Sequence, residues 1–372
     1  MILLNDFRRQ WEDTRADALA AFAAVGESGW YILGEEVRRL EAALAAYWGR
    51  RHAIGVASGL DAIEISLCAL GCKPGDRVLT TPLSAFATTL AIVKLGAVPV
   101  FADTDEFGLV DLGLCRDILR RRPDIRFLLP VHLYGHALDM EELSRLRADF
   151  GCVVVEDCAQ SIGAKFCGVA TGTAGQAAAT SFYPTKNLGA MGDGGAILTD
   201  DDDLAASVRM LRDYGQSAKY THDAAGYNSR LDELQAALLR RVYLPRLEQW
   251  TARRREIAGR YLAAIRNPAI VVPGPPPGSE SCWHLFPVMV PAGGKQEVAA
   301  HLRAGGILTG EHYPFLIPEQ KGLAGVPFEV IGGLDRARLI SESELSLPIH
   351  PYMSVEEVER VIDSVTVCET PK

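Results

Sequence analysis

The sequence predicts an α/β fold: a large domain with a mostly parallel sheet sandwiched by helices, then a smaller α+β domain. Three observations predict it. Short apolar runs recur between residues 53 and 200, and the segments between them carry helical spacing. A Pro-rich stretch at 267–278 then separates this region from a shorter pattern. Alternating strand and helix marks parallel strands covered on both faces. The 372 residues are 48% hydrophobic and 23% charged, enough for a large core and two domains at roughly 100–200 residues each. We place the large domain at 1–240 and the small one at 241–372.

In chain order, the expected strands are 53–57, 78–81, 98–102, 127–131, 152–155, 180–183 and 196–199. Helical spacing is clearest at 61–70 and 140–149. Asp200–Asp203 precedes a helix at 204–211, where carboxylates favour free N–H groups and the helix dipole. Arg120–Arg122 ends a helix before Pro123, the favoured place for cations and a solvated helix end. From Asp232 to about Ile265 runs one long helix, or two broken at Pro245. Beyond the Pro-rich stretch come an apolar run at 283–290 and helices at 296–304 and 355–365. In such sheets ligands bind beyond the carboxyl ends of the strands.

Composition excludes several functions. The net charge is −9, and the pI near 5.5 disfavours a nucleic-acid or anionic-membrane partner held by charge. The longest apolar stretch, 85–101, contains Lys94 and Pro99 and reads as buried helix plus strand, not a membrane span. The eight cysteines are scattered without a C-x-x-C pair, as in reduced thiols. The opening MILLNDFRRQWEDTRADAL breaks into charges after four residues, unlike a signal peptide, so a cytoplasmic location is expected. There is no G-x-x-x-x-G-K-[ST], H-E-x-x-H or G-x-S-x-G. The glycine run 189–195 precedes a strand and lacks dinucleotide-fingerprint spacing, and Tyr183 and Lys186 stand one residue too close for Tyr-x-x-x-Lys. His132, His136, His222 and His350 are too far apart for a local metal motif, and no metal is expected.

Chemistry gathers at two strand ends. The run 152–155 stops on Glu156 and Asp157, which alternation sends to opposite faces. The next strand ends at Pro184-Thr-Lys-Asn187, putting Lys186 at the same edge. Singly, the acid reads as a helix cap and the lysine as solvated. Together they match what pyridoxal phosphate requires: an acid that keeps a ring nitrogen protonated, and a lysine nucleophile of lowered pKa. Ser58-Gly-Leu-Asp-Ala62, where a strand gives way to a helix with free N–H groups, can seat the phosphate.

The chain resembles the DegT/DnrJ/EryC1/StrS family of sugar aminotransferases, which share the aspartate-aminotransferase-type fold (pyridoxal phosphate-dependent transferase type I). The matching stretches are GWYILGEEV (29–37), IGVASGLDAIE (54–64), LPVHLYG (129–135), VVVEDCAQSIGA (153–164), SFYPTKNLGAMGDGGAI (181–197), GYNSRLDELQAA (226–237), GEHYP (310–314) and LSLPIHP (345–351). The resemblance implies that Lys186 carries the cofactor covalently, Asp157 bonds the pyridine nitrogen and Gln160 approaches the ring hydroxyl. It further implies that Ser181 and the Ser58-Gly59-Leu60 backbone hold the phosphate and that Phe86 stacks on the ring. Asn228 would reach the phosphate from a neighbouring subunit, making the site a property of a homodimer. Tyr183, Lys219, Arg230, His312 and Tyr313 are candidate substrate contacts by motif position, with core or surface hydrogen bonds as the alternative. Family relatives that dehydrate sugars carry histidine in place of the lysine, so Lys186 argues for transamination.

Two departures bear on substrate. Leu60 stands where the commonest family loop has threonine; it and Trp283-His-Leu-Phe286 resemble the branch aminating C3 of nucleotide-linked 3-keto-6-deoxyhexoses. Phe315-Leu-Ile-Pro-Glu319 replaces the usual Pro and His after HYP, altering the expected sugar contacts there. The expected activity is transfer of an amino group from an amino acid, L-glutamate by analogy, to a dTDP-linked 3-keto sugar. A 4-keto sugar, an aminocyclitol ketone and a non-catalytic cofactor-binding regulator are the alternatives. Neither end has room or basic charge for a helix-turn-helix module.

Overall fold

The computed structural model describes residues 1–290 and 293–368. The large sheet uses β1 (His52–Val56), β2 (Arg77–Thr80), β3 (Val98–Phe101), β4 (Ile125–Leu129), β5 (Val153–Asp157), β6 (Ala177–Ser181) and β7 (Gly195–Thr199). Downstream lie β8 (Phe286–Met289), β9 (Glu329–Val330) and β10 (Glu344–Leu347). The sheet order is β1-β7-β6-β5-β4-β2-β3-β9. Strand β7 runs antiparallel to both β1 and β6, and the other pairings are parallel. Between the strands run α3 (Gly59–Ala69), α4 (Phe86–Lys94), α5 (Leu112–Arg121), α6 (Met140–Phe150) and α7 (Asp202–Leu211), after α1 (Phe7–Ser28) and α2 (Glu35–Trp48).

Alternation along the strands fills both faces. Ile54, Val56, Phe127, Leu129, Val155, Ala177 and Ala179 pack with Ile63 and Ile65 of α3 and Ile92 of α4. Leu128 and Val154 turn the other way, toward Cys115 and Ile118 of α5 and Leu143 of α6. Ala53, Ala178 and Leu198 meet Leu40 and Leu44 of α2. Both faces are therefore dry, the condition under which a parallel sheet is stable. No described helix is long and apolar enough to cross a membrane.

Three elements differ from the expectations. Strand β6 begins at Ala177, not Thr180, because small side chains without strand propensity lie there under α3. The run ending in two acids continues through them: Asp157 N–H donates to Pro130 O and its carbonyl accepts from His132 N–H. The segment from Asp232 onward is α8 (Glu233–Leu238), a π turn at Leu239–Tyr243, a 3₁₀ turn over Pro245 and α9 (Leu247–Ala264). Proline offers no N–H, and the widened turn absorbs the gap without breaking the rod.

The C-terminal region packs β8 antiparallel to β10. Ile257 and Tyr261 of α9, Val298 and Leu302 of α10 (Lys295–Ala304) and Val358 and Val361 of α12 (Val355–Thr366) close over it. Helix α12 opens with a reciprocal cap between Ser354 and Glu357. Strand β9, before α11 (Asp335–Ser343), returns to the large sheet beside β3. Its Glu329 pairs with Arg77 at 2.6 Å and Arg122 at 2.9 Å, so the arginine expected at a solvated helix end instead ties the two regions together. The N-terminus of α2 has an unusual cap. The carboxylate of Glu233, in α8, accepts the backbone N–H groups of Gly34, Glu36 and Val37 at 2.8–2.9 Å.

Candidate active site

The carboxyl ends of β5 and β6 bring Asp157 and Lys186 together. Asp157 is buried; its Oδ2 accepts from Thr88 Oγ1 at 2.8 Å and its Oδ1 from Ala159 N–H at 3.0 Å. Burial pushes its pKa up, against the pull of those two donors and the charge of Lys186. Ser84, 2.8 Å from Thr88 Oγ1, continues the contact. The Lys186 amine is held by no hydrogen bond or ion pair among the described residues. Burial lowers its pKa to about 8, with Asp157 opposing. An amine so poised is a nucleophile and a base near neutral pH.

The second acid has another fate. Glu156 faces away and accepts the N–H groups of Gly172, Ala174 and Gly175 and a contact from His132 Nε2 at 2.9 Å. His132 Nδ1 accepts from Leu138 N–H, so Nε2 carries the hydrogen. Cys158 joins them within 4.8 Å, but both Glu156 oxygens and both His132 nitrogens are already engaged. The cluster is polar core. His136 bonds Ser281 and, by burial alone, falls to about 3; His222 bonds the carbonyl of Tyr214. His350 is buried, with a pKa lowered to about 4 mainly by burial.

An anion seat stands at the start of α3. Ser58 caps the helix, accepting Asp61 N–H at 3.1 Å, and the first helical amides, those of Gly59 and Leu60, have no carbonyl a turn behind them. A side chain at Gly59 would place its Cβ 2.6 Å from Ser181 Cβ, so only glycine lets this turn lie against β6. Leu60 is half-buried against the core under α3. Phe86, first in α4, packs its ring beside Gly322, where a Cβ would come within 3.0 Å. Gln160 is oriented at both ends: Oε1 accepts Tyr134 N–H at 2.7 Å, and Nε2 donates to Tyr313 OH at 3.1 Å. Burial and the charge of Asp157 raise the Tyr313 phenol. These parts fit pyridoxal phosphate: a free amine, a buried carboxylate across from it, and unsatisfied amides beside two hydroxyls.

Other expected residues lie apart. Asn228 is exposed, but its neighbour Ser229 ties the loop to the anion seat, donating to Asp61 Oδ2 at 2.7 Å and accepting from Ala57 N–H at 3.0 Å. Arg230 is committed to Asp213 at 2.9 Å and to the Tyr214 ring. Lys219 sits exposed on the Gln216–His222 hairpin, over the Tyr220 ring. Tyr183 is 52% exposed. His312 is close enough to Lys186 to feel its charge; burial first, then that charge, lowers its pKa to about 4. Sequence reasoning did not single out Thr88, Asn187 or His284 for the site. His284 is buried, bonds Asn187 at 3.2 Å and is pushed far below its ordinary pKa by burial and by Lys186. The signal existed: Thr88 follows Phe86 in SAFATT, and His284 stands in WHLF.

Known proteins share this sequence pattern and fold. The model of the DegT/DnrJ/EryC1/StrS aminotransferase family matches residues 12–366. A dTDP-3-amino-3,4,6-trideoxy-alpha-D-glucose transaminase of Streptomyces venezuelae is 43% identical over 97% of this chain and 94% of its own length. A dTDP-3-amino-3,6-dideoxy-alpha-D-galactopyranose transaminase of Aneurinibacillus thermoaerophilus is 41% identical, over 98% and 99%. The crystal structure of S. venezuelae DesV superposes with a TM-score of 0.93 at 42% identity, covering 98% of this chain and 97% of that one. With a family match over nearly its whole length, and relatives this similar, the chain belongs to the DegT/DnrJ/EryC1/StrS aminotransferases, which are pyridoxal phosphate-dependent enzymes.

Proposed function

We propose that the chain is a cytoplasmic homodimer that transfers an amino group from an amino acid, L-glutamate, to C3 of a dTDP-linked 3-keto-6-deoxyhexose. The uncommitted Lys186 amine beside buried Asp157 carries the reading. Pyridoxal phosphate, when bound, supplies an electron-poor ring that stabilises negative charge on the carbon losing its proton. Lys186 would hold that group covalently at rest. When an amino donor has taken its place, the freed Nζ would serve as the base for the donor's Cα proton in the first half-reaction. After the 2-oxo acid has left, Nζ would serve as the acid that protonates the sugar carbon in the second. Asp157, as a carboxylate, keeps a proton on the ring nitrogen, and Thr88 and Ala159 N–H fix its orientation. Ser58, Ser181 and the amides of Gly59 and Leu60 bind the phosphate. Phe86 covers a ring face, and Gln160, set by Tyr134 and Tyr313, faces the ring hydroxyl.

The choice of C3 rests on the two relatives named above and on Trp283-His-Leu-Phe286, whose histidine lies within reach of the Lys186 charge. Leu60 adds little, because it packs into the core. Moving the reacting carbonyl from C4 to C3 shifts the sugar over the cofactor, and misplacement by about 1 Å costs about a hundredfold. Assayed with 3-keto and 4-keto nucleotide sugars and L-glutamate, the enzyme should favour the 3-keto sugar by roughly that factor in kcat/KM. Equal rates, or a 4-keto preference, would overturn the assignment.

A homodimer is supported by one apolar surface. Trp30, Tyr31 and Ile32 are 62, 57 and 38% exposed, and Leu234 and Met191 both 42%. They adjoin: Tyr31 O accepts Glu233 N–H, Ile32 bridges Asp232, and Gln235 bonds Met191 N–H. Contiguous apolar surface of this kind marks an interface. Asn228, exposed beside Ser229, would complete the partner's phosphate site, as the family resemblance implies. Lys186→Ala and Asn228→Asp homodimers should each be impaired, the second by a carboxylate facing phosphate, whereas mixed dimers should regain one intact site. Subunit exchange that restores nothing would refute the shared site.

A further inference from the structure

His312 reaches the Lys186 side of the molecule on a loop pinned to β10. Gly310 and Ser346 exchange backbone hydrogen bonds of 3.1 and 2.8 Å, and His312 N–H donates to Glu344 Oε2 at 2.6 Å. The ring is fixed as well: Nδ1 lies 2.9 Å from Ser346 Oγ, whose hydroxyl donates to Glu344 Oε1. Glu344 and Ser346 are 1 and 0% exposed, so the serine–glutamate end of this chain is sealed from water, and the His312 ring is half-buried. Nothing in the chemistry above uses it.

Ser346 has one hydroxyl hydrogen to give. While Glu344 is a carboxylate it takes that hydrogen, leaving only lone pairs on Ser346 Oγ for the ring. Nδ1 must then carry the imidazole hydrogen, and Nε2 is a bare lone pair. Among the described residues no protein group bonds Nε2. We propose that Glu344, acting through Ser346, is a positioning residue that selects the Nδ1–H tautomer of His312, so that Nε2 accepts a hydrogen bond from a substrate hydroxyl or ammonium beside Lys186. The identity of that donor rests on the aminotransferase reading; the tautomer does not.

The chain can run in reverse. A protonated Glu344 would donate to Ser346, Ser346 would donate to Nδ1, and the imidazole hydrogen would move to Nε2. The imidazole stays neutral, and the one proton gained resides on Glu344. Burial raises Glu344 to about 7, helped by Glu311 and opposed by His312 N–H, Ser346 and Lys295. The other charged and titratable groups that face Glu344 and the His312 ring are Lys295, Glu311, Tyr134, Tyr313 and Lys186, the last lowered to about 8. Lys295, from α10, is paired with Glu311 at 2.7 Å, and Tyr134 and Tyr313 are phenols raised by burial and by Glu344 itself. The ring also feels the charge of Lys186, and His284 in turn feels both Lys186 and His312.

Nitrogen NMR of the full-length protein carrying ¹⁵N-histidine reads the tautomer directly, with the His312 signal assigned by its loss in His312→Asn. Wild type should show the Nδ1–H pattern above about pH 7 and the Nε2–H pattern below it. In Glu344→Gln the amide oxygen should stay on His312 N–H and the amide NH₂ should face Ser346, locking Nε2–H at every pH. Its kcat/KM should fall about tenfold, and the part of the pH dependence near neutrality that comes from Glu344 should be lost. A wild-type ring with one tautomer throughout, or a Gln variant that keeps Nδ1–H, overturns the proposal. Should that variant misfold, Ser346→Ala serves: the pH-dependent exchange must vanish, and its persistence is equally fatal. Because the NMR readout needs no substrate, failure of the proposed sugar assignment would leave it unaffected.

Discussion

Lys186→Ala is expected to lose about 10⁴-fold or more in kcat/KM, the upper end of what one general base contributes, with loss of the covalent anchor added. The fold should be spared, since no hydrogen bond or ion pair holds the amine among the described residues. Borohydride reduction of the parent followed by peptide mapping should place the pyridoxyl group on Lys186. In the alanine variant the label should disappear and circular dichroism should be unchanged. Label on another lysine, or turnover at the parent rate, would remove Lys186 from the reaction.

Asp157→Asn is the second large effect, about 10²–10³-fold in kcat, the scale of removing one preorganised electrostatic contact from a dry site. The sign of a companion shift follows from the structure. The Asp157 charge opposes the burial that lowers Lys186 to about 8, so its removal must lower the amine further. The rate at which cofactor-free protein captures pyridoxal phosphate should rise with pH as the amine loses its proton. The midpoint should lie near pH 8 in the parent and at lower pH in Asp157→Asn. A midpoint that stays or rises would mean that the carboxylate does not act on the lysine.

The large sheet was legible because strands buried on both faces leave unbroken apolar runs, and β1 through β5 each lie within two residues of the expected bounds at their N-terminal ends. Strand β6 was not: Ala177–Ala179 has no strand propensity, and only pairing with β5 and β7 makes it a strand. Strand β9 is two residues long and is held in place by Arg77 and Arg122, partners far away in sequence. The site divides the same way. Asp157 and Lys186 sit in local motifs and could be read, whereas Thr88 meets Asp157 only across 69 residues. Arg230 shows the reverse: its motif position pointed to substrate, but Asp213 and the Tyr214 ring hold it in place.

The Glu233 cap on α2 carries a consequence for how the chain is made. A helix start whose three orphan amides wait on a side chain some 200 residues downstream cannot be closed locally. During synthesis α2 can form, but it stays frayed and unlocked until α8 has left the ribosome. Every earlier strand is by then available to pair, so closure of the amino-terminal layer belongs among the last folding events and carries a long-range entropic cost. Fragments ending before residue 233 should therefore show an exchange-labile α2, and the polypeptide should become resistant to proteolysis at its start only once its middle is complete.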